Sequence, residues 1–250
     1  MVKNFFSGFF SQLLELETEY LNWIWQGLVV TIWISFYTII LSSLLGFLVA
    51  IVRDSHISLL RWLARIYISL FRNTPLLIQL FFWYFAVGGI LPEAIMQWFN
   101  MTHKVTIMAI QLEWPSFEWL AGMIGLTLYS TPFIAEDLRS GMYGVKQEQT
   151  CAALALGLSF WQTMRYVVFP QAFKIALPTL LGQYMNIVKN SSLTMAIGVT
   201  ELSYVSRQIE SQSLQTFSAF GVTTILYISI IACMEAWGQW RQQCLLIKGY

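Results

Sequence analysis

Lys189 sits in a run from Ala176 to Val199 that carries no other charge. A charge within a bilayer costs at least about 2.5–3.5 kcal/mol on insertion scales, unless it is paired or faces water. Gln183, Asn186, Lys189 and Asn190 follow one another at spacings of three, three and one. They therefore form a polar stripe on one helical face that continues toward Ser191 and Ser192. An ammonium flanked by amides and a hydroxyl can recognise a carboxylate. One reading makes Lys189, Asn186, Asn190 and Ser192 part of a substrate pathway. The other pairs Lys189 permanently with Glu136 or Asp137 and gives it only a packing role. Glu136 and Arg139 are three apart and suit a simple ion pair. Alternatively, Glu136 borders a cavity and engages an amino group, with Pro132 loosening the helix above it and Thr131 bonding the backbone that the proline frees. Asn73 and Thr74 precede Pro75, a pattern that either breaks a helix lining a cavity or caps a helix start.

Catalytic chemistry finds no support. No Gly is followed by Lys, so the phosphate-cradling loop is missing, and no Gly-x-Ser-x-Gly elbow occurs. His56 and His103 are the only histidines, and the topology below puts them on opposite sides of a membrane, which excludes a His-paired metal centre. Cys151, Cys233 and Cys244 cannot pair fully and have no zinc or redox spacing. No cofactor and no metal are expected.

The elements that must position the stripe are membrane helices. The 250 residues are 57% hydrophobic and only 11% charged, against about a quarter charged in a soluble domain. A soluble cytosolic enzyme is therefore excluded. A net charge of +1 gives no footprint for nucleic acid. The expected fold is all-α with five spans: Ile24–Val52, Trp62–Val87, Trp119–Arg139, Ala176–Val199 and Thr216–Trp240. Lys189 falls about midway along the fourth. Gly88–Glu118 reads as an extramembrane loop with a short interfacial helix near Trp98 and Phe99. Phe5, Phe6, Phe9, Phe10, Leu13 and Leu14 give the N-terminal segment one apolar face suited to the membrane interface, with a frayed terminus as the equal alternative. No signal peptide is expected there, since Glu15, Glu17 and Glu19 stand where a cleavage site would be.

Ten Lys and Arg residues gather on one side of this topology: Arg53, Arg61, Arg65, Arg72, Arg139, Lys146, Arg165, Lys174, Arg241 and Lys248. Lys3, Lys104 and Arg207 occupy the other. The bias predicts a multi-pass membrane protein, surrounded by lipid, with its N-terminus outside and its C-terminus in the cytoplasm.

Residues 140–175 are too polar to span and too patterned for a linker. Ala152, Ala153, Ala155 and Gly157 on a short helix would let another backbone come close, while Leu154, Leu158 and Trp161 at helical spacing would fill a groove. The surface presented suits a partner protein or the chain's own membrane helices. Ala152, Ala153, Gly157, Val167, Phe169 and Pro170 stand in register with the EAA loop of ABC importer permeases, which this segment resembles. Cys151 occupies the position of the family's Glu. The likeness extends to YLNWIWQGLVVTI from Tyr20, LFRNTPLLIQLFFWYF from Leu70, LPEAIMQWF from Leu91, AEDLRSG from Ala135 and VKNSSL from Val188. Over nearly the whole chain it is most similar to the polar amino-acid branch of that family, nearest to glutamate/aspartate permeases.

The resemblance implies a single type I permease domain over residues 1–250, without catalysis of its own, that translocates a polar amino acid by alternating access. It further implies that Cys151, Ala152, Ala153, Ala155, Gly157 and Pro170 belong to a coupling segment docked on an ABC ATPase subunit, two copies of which serve the transporter. A second permease, identical or homologous, and an extracytoplasmic binding protein complete the assembly. The competing class is an ion-coupled secondary transporter using Lys189 and Glu136; against it, five spans do not divide into equal halves and no internal repeat is present. An intramembrane enzyme or scaffold lacks a nucleophile and base, or leaves the polar stripe unexplained.

Overall fold

The computed structural model describes residues 18–101, 104–107, 110–113 and 115–247. The apolar N-terminal segment, His103, Lys3 and Lys248 lie outside the described residues. Almost all of the described chain is helical. Helix α1 is Thr18–Arg53, α2 is Ser58–Arg72, and α3, Leu76–Phe81, continues through a π turn at Phe82–Ala86 to Val87–Ile90. A short α4, Glu93–Asn100, and a two-stranded hairpin, β1 Lys104–Ile107 with β2 Ile110–Glu113, fill the expected loop. Then come α5 Phe117–Gly144, α6 Gln147–Ala155, α7 Phe160–Thr163 with a π turn Met164–Val168, α8 Phe169–Ser191, a 3-10 turn Ser192–Ile197, α9 Leu202–Ser213 and α10 Thr216–Ile247.

By length and composition, Glu19–Arg53 and Thr216–Gln243 are apolar enough to cross a membrane, and α2 with α3 makes a third span if the interrupted pair counts as one. Helices α5 and α8 have 28 and 23 residues, enough length to cross at 1.5 Å per residue, but they carry more charge and polarity. The second expected span is not one continuous helix. Pro75 has no N–H and disfavours helical backbone at Thr74, so α2 stops at Arg72. Its end is satisfied locally: the Asn73 N–H donates to the Ser69 carbonyl and the Thr74 hydroxyl to the Leu70 carbonyl at 2.8 Å.

Two compact units are present. One comprises residues 1–38, 75–126 and 188–230, the other 39–74, 127–187 and 231–250. In the first, Ile24 packs with Leu202, Val205, Ile209 and Ala219. Gly27 permits this packing, because a Cβ there would meet Val205 Cγ2 at 2.9 Å and Leu202 Cα at 3.1 Å. In the second, Ile134, Ala176, Leu180 and Ile187 form the core, with Ile39 and Tyr184 against it. The hydroxyls of Ser43 and Tyr184 add a hydrogen bond of 2.9 Å.

Candidate functional site

Most of the stripe lies on α8, with Ser192 just beyond it. Helix α8 ends at Ser191, short of the expected span end at Val199, so Lys189 is in the last turn of the α-helix. Hydroxyls cause the early stop. Ser191 donates to the Val188 carbonyl at 2.8 Å, Ser192 to Lys189 at 2.7 Å and Thr194 to Ser191 at 2.7 Å. Bonds of this kind tighten the helix into the 3-10 turn Ser192–Ile197, which closes on left-handed Gly198. Lys189 is thus a cation at a helix C-terminus, where the backbone dipole favours it. Its side chain and that of Asn186 are exposed, Asn190 and Ser192 are half-buried, and among the described residues Lys189 enters no ion pair.

The acids proposed as its permanent partners are engaged elsewhere. Glu136 Oε1 lies 3.6 Å from Arg53 Nε, and its Oε2 lies 3.7 Å from Arg139 Nη1. The Glu136–Arg139 pair is therefore formed, within a larger network. Arg139 Nε donates to Asp54 Oδ1 at 2.9 Å, and the Tyr143 hydroxyl reaches the same oxygen at 3.2 Å. Arg139 also stacks over the Tyr143 ring, 4.8 Å from its centroid. Asp137 stands near Gln183 and Arg72, its Oδ2 is buried without a hydrogen-bond partner among the described residues, and Arg72 covers the ring of Phe133. These charges are mostly a quarter to a third exposed, so they tie the end of α1 to α5 in a partly wet setting where each pair contributes modestly.

Pro132 does free a carbonyl, that of Leu128, but Thr131 does not take it. Tyr67 of α2 donates its hydroxyl there at 2.8 Å, whereas Thr131 bonds the carbonyl of Thr127 at 2.7 Å. Thr131 is buried and commits its hydroxyl to the carbonyl four residues back, so the Leu128 carbonyl takes its bond from another helix.

Glu201 stands outside the polar stripe. It is fully buried and begins α9. Its carboxylate accepts from the backbone N–H groups of Ser203 at 2.9 Å and Tyr204 at 2.8 Å, and from the Tyr227 hydroxyl at 2.6 Å. Nearby, the Leu202 N–H donates to the Thr31 hydroxyl at 3.0 Å, which donates in turn to the Gly27 carbonyl. The network joins α1, α9 and α10. A signal existed, since Glu201 is the single charge between Lys189 and Arg207.

The 140–175 segment is a helical elbow. Helix α6 carries Cys151, Ala152 and Ala155 on its exposed side and Ala153 buried. Gly157 is not on the helix but stops it: at φ +86° it forms a Schellman cap, with the Gly157 N–H bonding the Leu154 carbonyl and the Leu158 N–H the Ala153 carbonyl. Ser159 and Gln162 close a capping box that starts α7. Pro170, lacking an N–H, removes an acceptor's partner at Tyr166, and the chain accommodates this as the π turn Met164–Val168. Leu156, Phe160 and Trp161 remain exposed, Trp161 at 72%. This apolar surface on a rigid elbow fits a protein partner.

No group of three or more metal-ligating side chains occurs among the described residues. Residues 42–243 match the family of binding-protein-dependent transport system inner membrane components. The glutamate/aspartate import permease GltJ of Escherichia coli K12 is 33% identical over 216 residues, covering 86% of this chain and 84% of that protein. The probable glutamine ABC transporter permease GlnP of Bacillus subtilis is 29% identical, covering 90% of this chain and 92% of its own length. Among solved structures, an amino acid ABC transporter crystallised with histidines aligns at a TM-score of 0.74 and 26% identity, over 90% of this chain and 95% of that one.

Proposed function

The chain belongs to the binding-protein-dependent transport system inner membrane components, as a non-catalytic permease subunit of an amino-acid ABC transporter, and from that premise we propose that it imports glutamate or aspartate. ATP is hydrolysed in a separate subunit, which displaces the ion-coupled alternative. The observation that carries the acidic substrate is the 33% identity to GltJ across most of both chains. Lys189 adds a chemical reason: an exposed ammonium at the end of α8, next to Asn186, Asn190 and Ser192, suits a side-chain carboxylate. In this reading the chain is one five-span domain in the bacterial cytoplasmic membrane, N-terminus outside and C-terminus inside. Two such domains, identical or homologous, pair around a two-fold axis and receive amino acid from an extracytoplasmic binding protein.

Residues 140–175 dock on the ATPase subunit, with Cys151, Ala152 and Ala155 facing it, Gly157 fixing the exit of the coupling helix and Pro170 its return. Ala153 supports the helix from beneath. The test of the substrate is competition. Uptake of labelled glutamate by the assembled transporter with its binding protein should be suppressed by aspartate and left unchanged by equal glutamine. Suppression by glutamine with no effect of aspartate would contradict the acidic assignment.

A further inference from the structure

Asp54 follows directly on Arg53, at the C-terminal end of α1, where the backbone dipole disfavours a negative charge. Its carboxylate is held from α5 instead. One oxygen, Oδ1, accepts from Arg139 Nε at 2.9 Å and from the Tyr143 hydroxyl at 3.2 Å. Arg139 Nη2 donates to that same hydroxyl at 3.2 Å, so the three side chains close a ring of hydrogen bonds. Arg139 and Tyr143 are four apart and share one face of α5. Gly141 lies between them, about 200° around the helix from each. It turns the opposite face to α8: a Cβ there would meet the Ala172 carbonyl oxygen at 2.5 Å and Ala176 Cβ at 2.8 Å. The last turns of α5 are thus gripped on two sides, by α8 through close backbone contact and by the end of α1 through Asp54.

The elbow hangs from this turn. Gly144 ends α5 directly after Tyr143, Val145 packs with Val168 and Ala172, and α6 begins at Gln147. So short a connection leaves α6 little freedom relative to the end of α5. The two grips differ in kind. Ala172 and Ala176 are buried, whereas the Arg139 and Asp54 side chains are 26% and 33% exposed, so water replaces their bonds at small cost. Helix α1 itself is unbroken over 36 residues, about 54 Å at 1.5 Å per residue, so a displacement at its start is carried as by a rod to Asp54. We propose that Asp54, Arg139 and Tyr143 are positioning residues for coupling. With this latch formed, movement of the end of α1 reaches α6 through the last turn of α5; with it cut, α5 follows α8 alone. The inference rests on the reading of α6 as the helix that docks on the ATPase subunit.

The experiment uses the full chain assembled with its partner permease and ATPase subunits in proteoliposomes, with binding protein loaded with glutamate. Two ratios are read: ATP hydrolysis with loaded binding protein over hydrolysis without it, and glutamate imported per ATP hydrolysed. Both are normalised to active complex, so a variant that only folds or assembles less does not move them. Asp54→Ala and Arg139→Met should each lower both ratios about threefold to fivefold, the upper range open to a partly exposed pair, while basal hydrolysis persists. Asp54→Glu keeps the carboxylate and should retain the parent ratios. Tyr143→Phe leaves the Arg139 bond to Asp54 in place and should lose less than either charge variant. Arg139 also faces Glu136 at 3.7 Å, so the double variant Asp54→Ala/Arg139→Met should fall no further than Arg139→Met alone. In a complex whose unsubstituted form couples, unchanged ratios in both charge variants, a loss of thermal stability alone, or losses that multiply in the double variant would each overturn the latch and leave the permease reading intact. If the unsubstituted complex answers to glutamine and not to glutamate, the same ratios are read with glutamine and only the acidic assignment falls. An unsubstituted chain that associates with no ATPase subunit overturns the permease reading and the latch together.

Discussion

Lys189 sits at a helix end with no ion-pair partner among the described residues. The helix dipole alone favours a cation there by about 0.3–1 kcal/mol, so its position needs no acid to explain it and its ammonium remains available. Lys189→Met in the assembled complex is expected to weaken substrate handling by about 10- to 100-fold, the equivalent of about 1.5–3 kcal/mol for a lost charge-assisted hydrogen bond. The readout is the concentration dependence of uptake, with basal ATP hydrolysis retained; unchanged affinity and uptake would return Lys189 to a packing role. Glu201 works differently. Its carboxylate satisfies two N–H groups and a tyrosine hydroxyl in a fully buried place. Glu201→Ala leaves those donors without acceptors, at an expected cost of about 2–3 kcal/mol, whereas Glu201→Gln keeps one acceptor oxygen and should lose less. Thermal unfolding of the complex orders the variants; an alanine variant as stable as the parent would contradict the network's role.

Elements built on long uncharged runs were legible in the sequence. Helix α1 follows from the stretch Ile24–Val52, and the break between α2 and α3 follows from Asn73, Thr74 and Pro75. The end of α8 was not legible from hydropathy. Residues beyond Ser191 are as apolar as those before it, and hydroxyls bonding back to carbonyls three residues earlier decide the geometry. The Tyr67 bond to the Leu128 carbonyl joins residues 61 apart, so no local pattern announces it. In the elbow, the small residues were visible but their division of labour was not: Ala153 packs inward while Gly157 is a cap. This refines the coupling prediction. A Cβ at Gly157 meets no atom within 4 Å in this chain, so any penalty comes from the backbone or from a partner. Gly157→Asn keeps the left-handed cap and adds bulk. Membrane insertion is expected to persist in this variant, while substrate-stimulated ATP hydrolysis drops severalfold. Normal stimulation in both Gly157→Asn and Gly157→Trp would remove Gly157 from the docking surface. Cys151→Glu should be tolerated, since Cys151 is exposed on α6, the helix that Gly157 caps.

For the molecule as a whole, the low charge content has two consequences. It puts the chain in a membrane, and it makes the few placed charges informative. Ten basic residues on one side of the expected topology include Arg53, Arg139, Lys174 and Arg241. The first two bind the end of α1 to α5. All four fall in the unit that also contains the elbow. Membership of the family supplies the remaining parts: a permease needs an ATPase subunit for energy, and one chain of this size needs a second to enclose a pathway. The most direct measurement is uptake of labelled glutamate into proteoliposomes containing the chain, its partner permease and its ATPase subunits, with binding protein outside the vesicles and ATP within. Accumulation that requires ATP and binding protein, and that aspartate suppresses, is the predicted result; accumulation by the purified chain alone, driven by an ion gradient without ATP, would contradict the account.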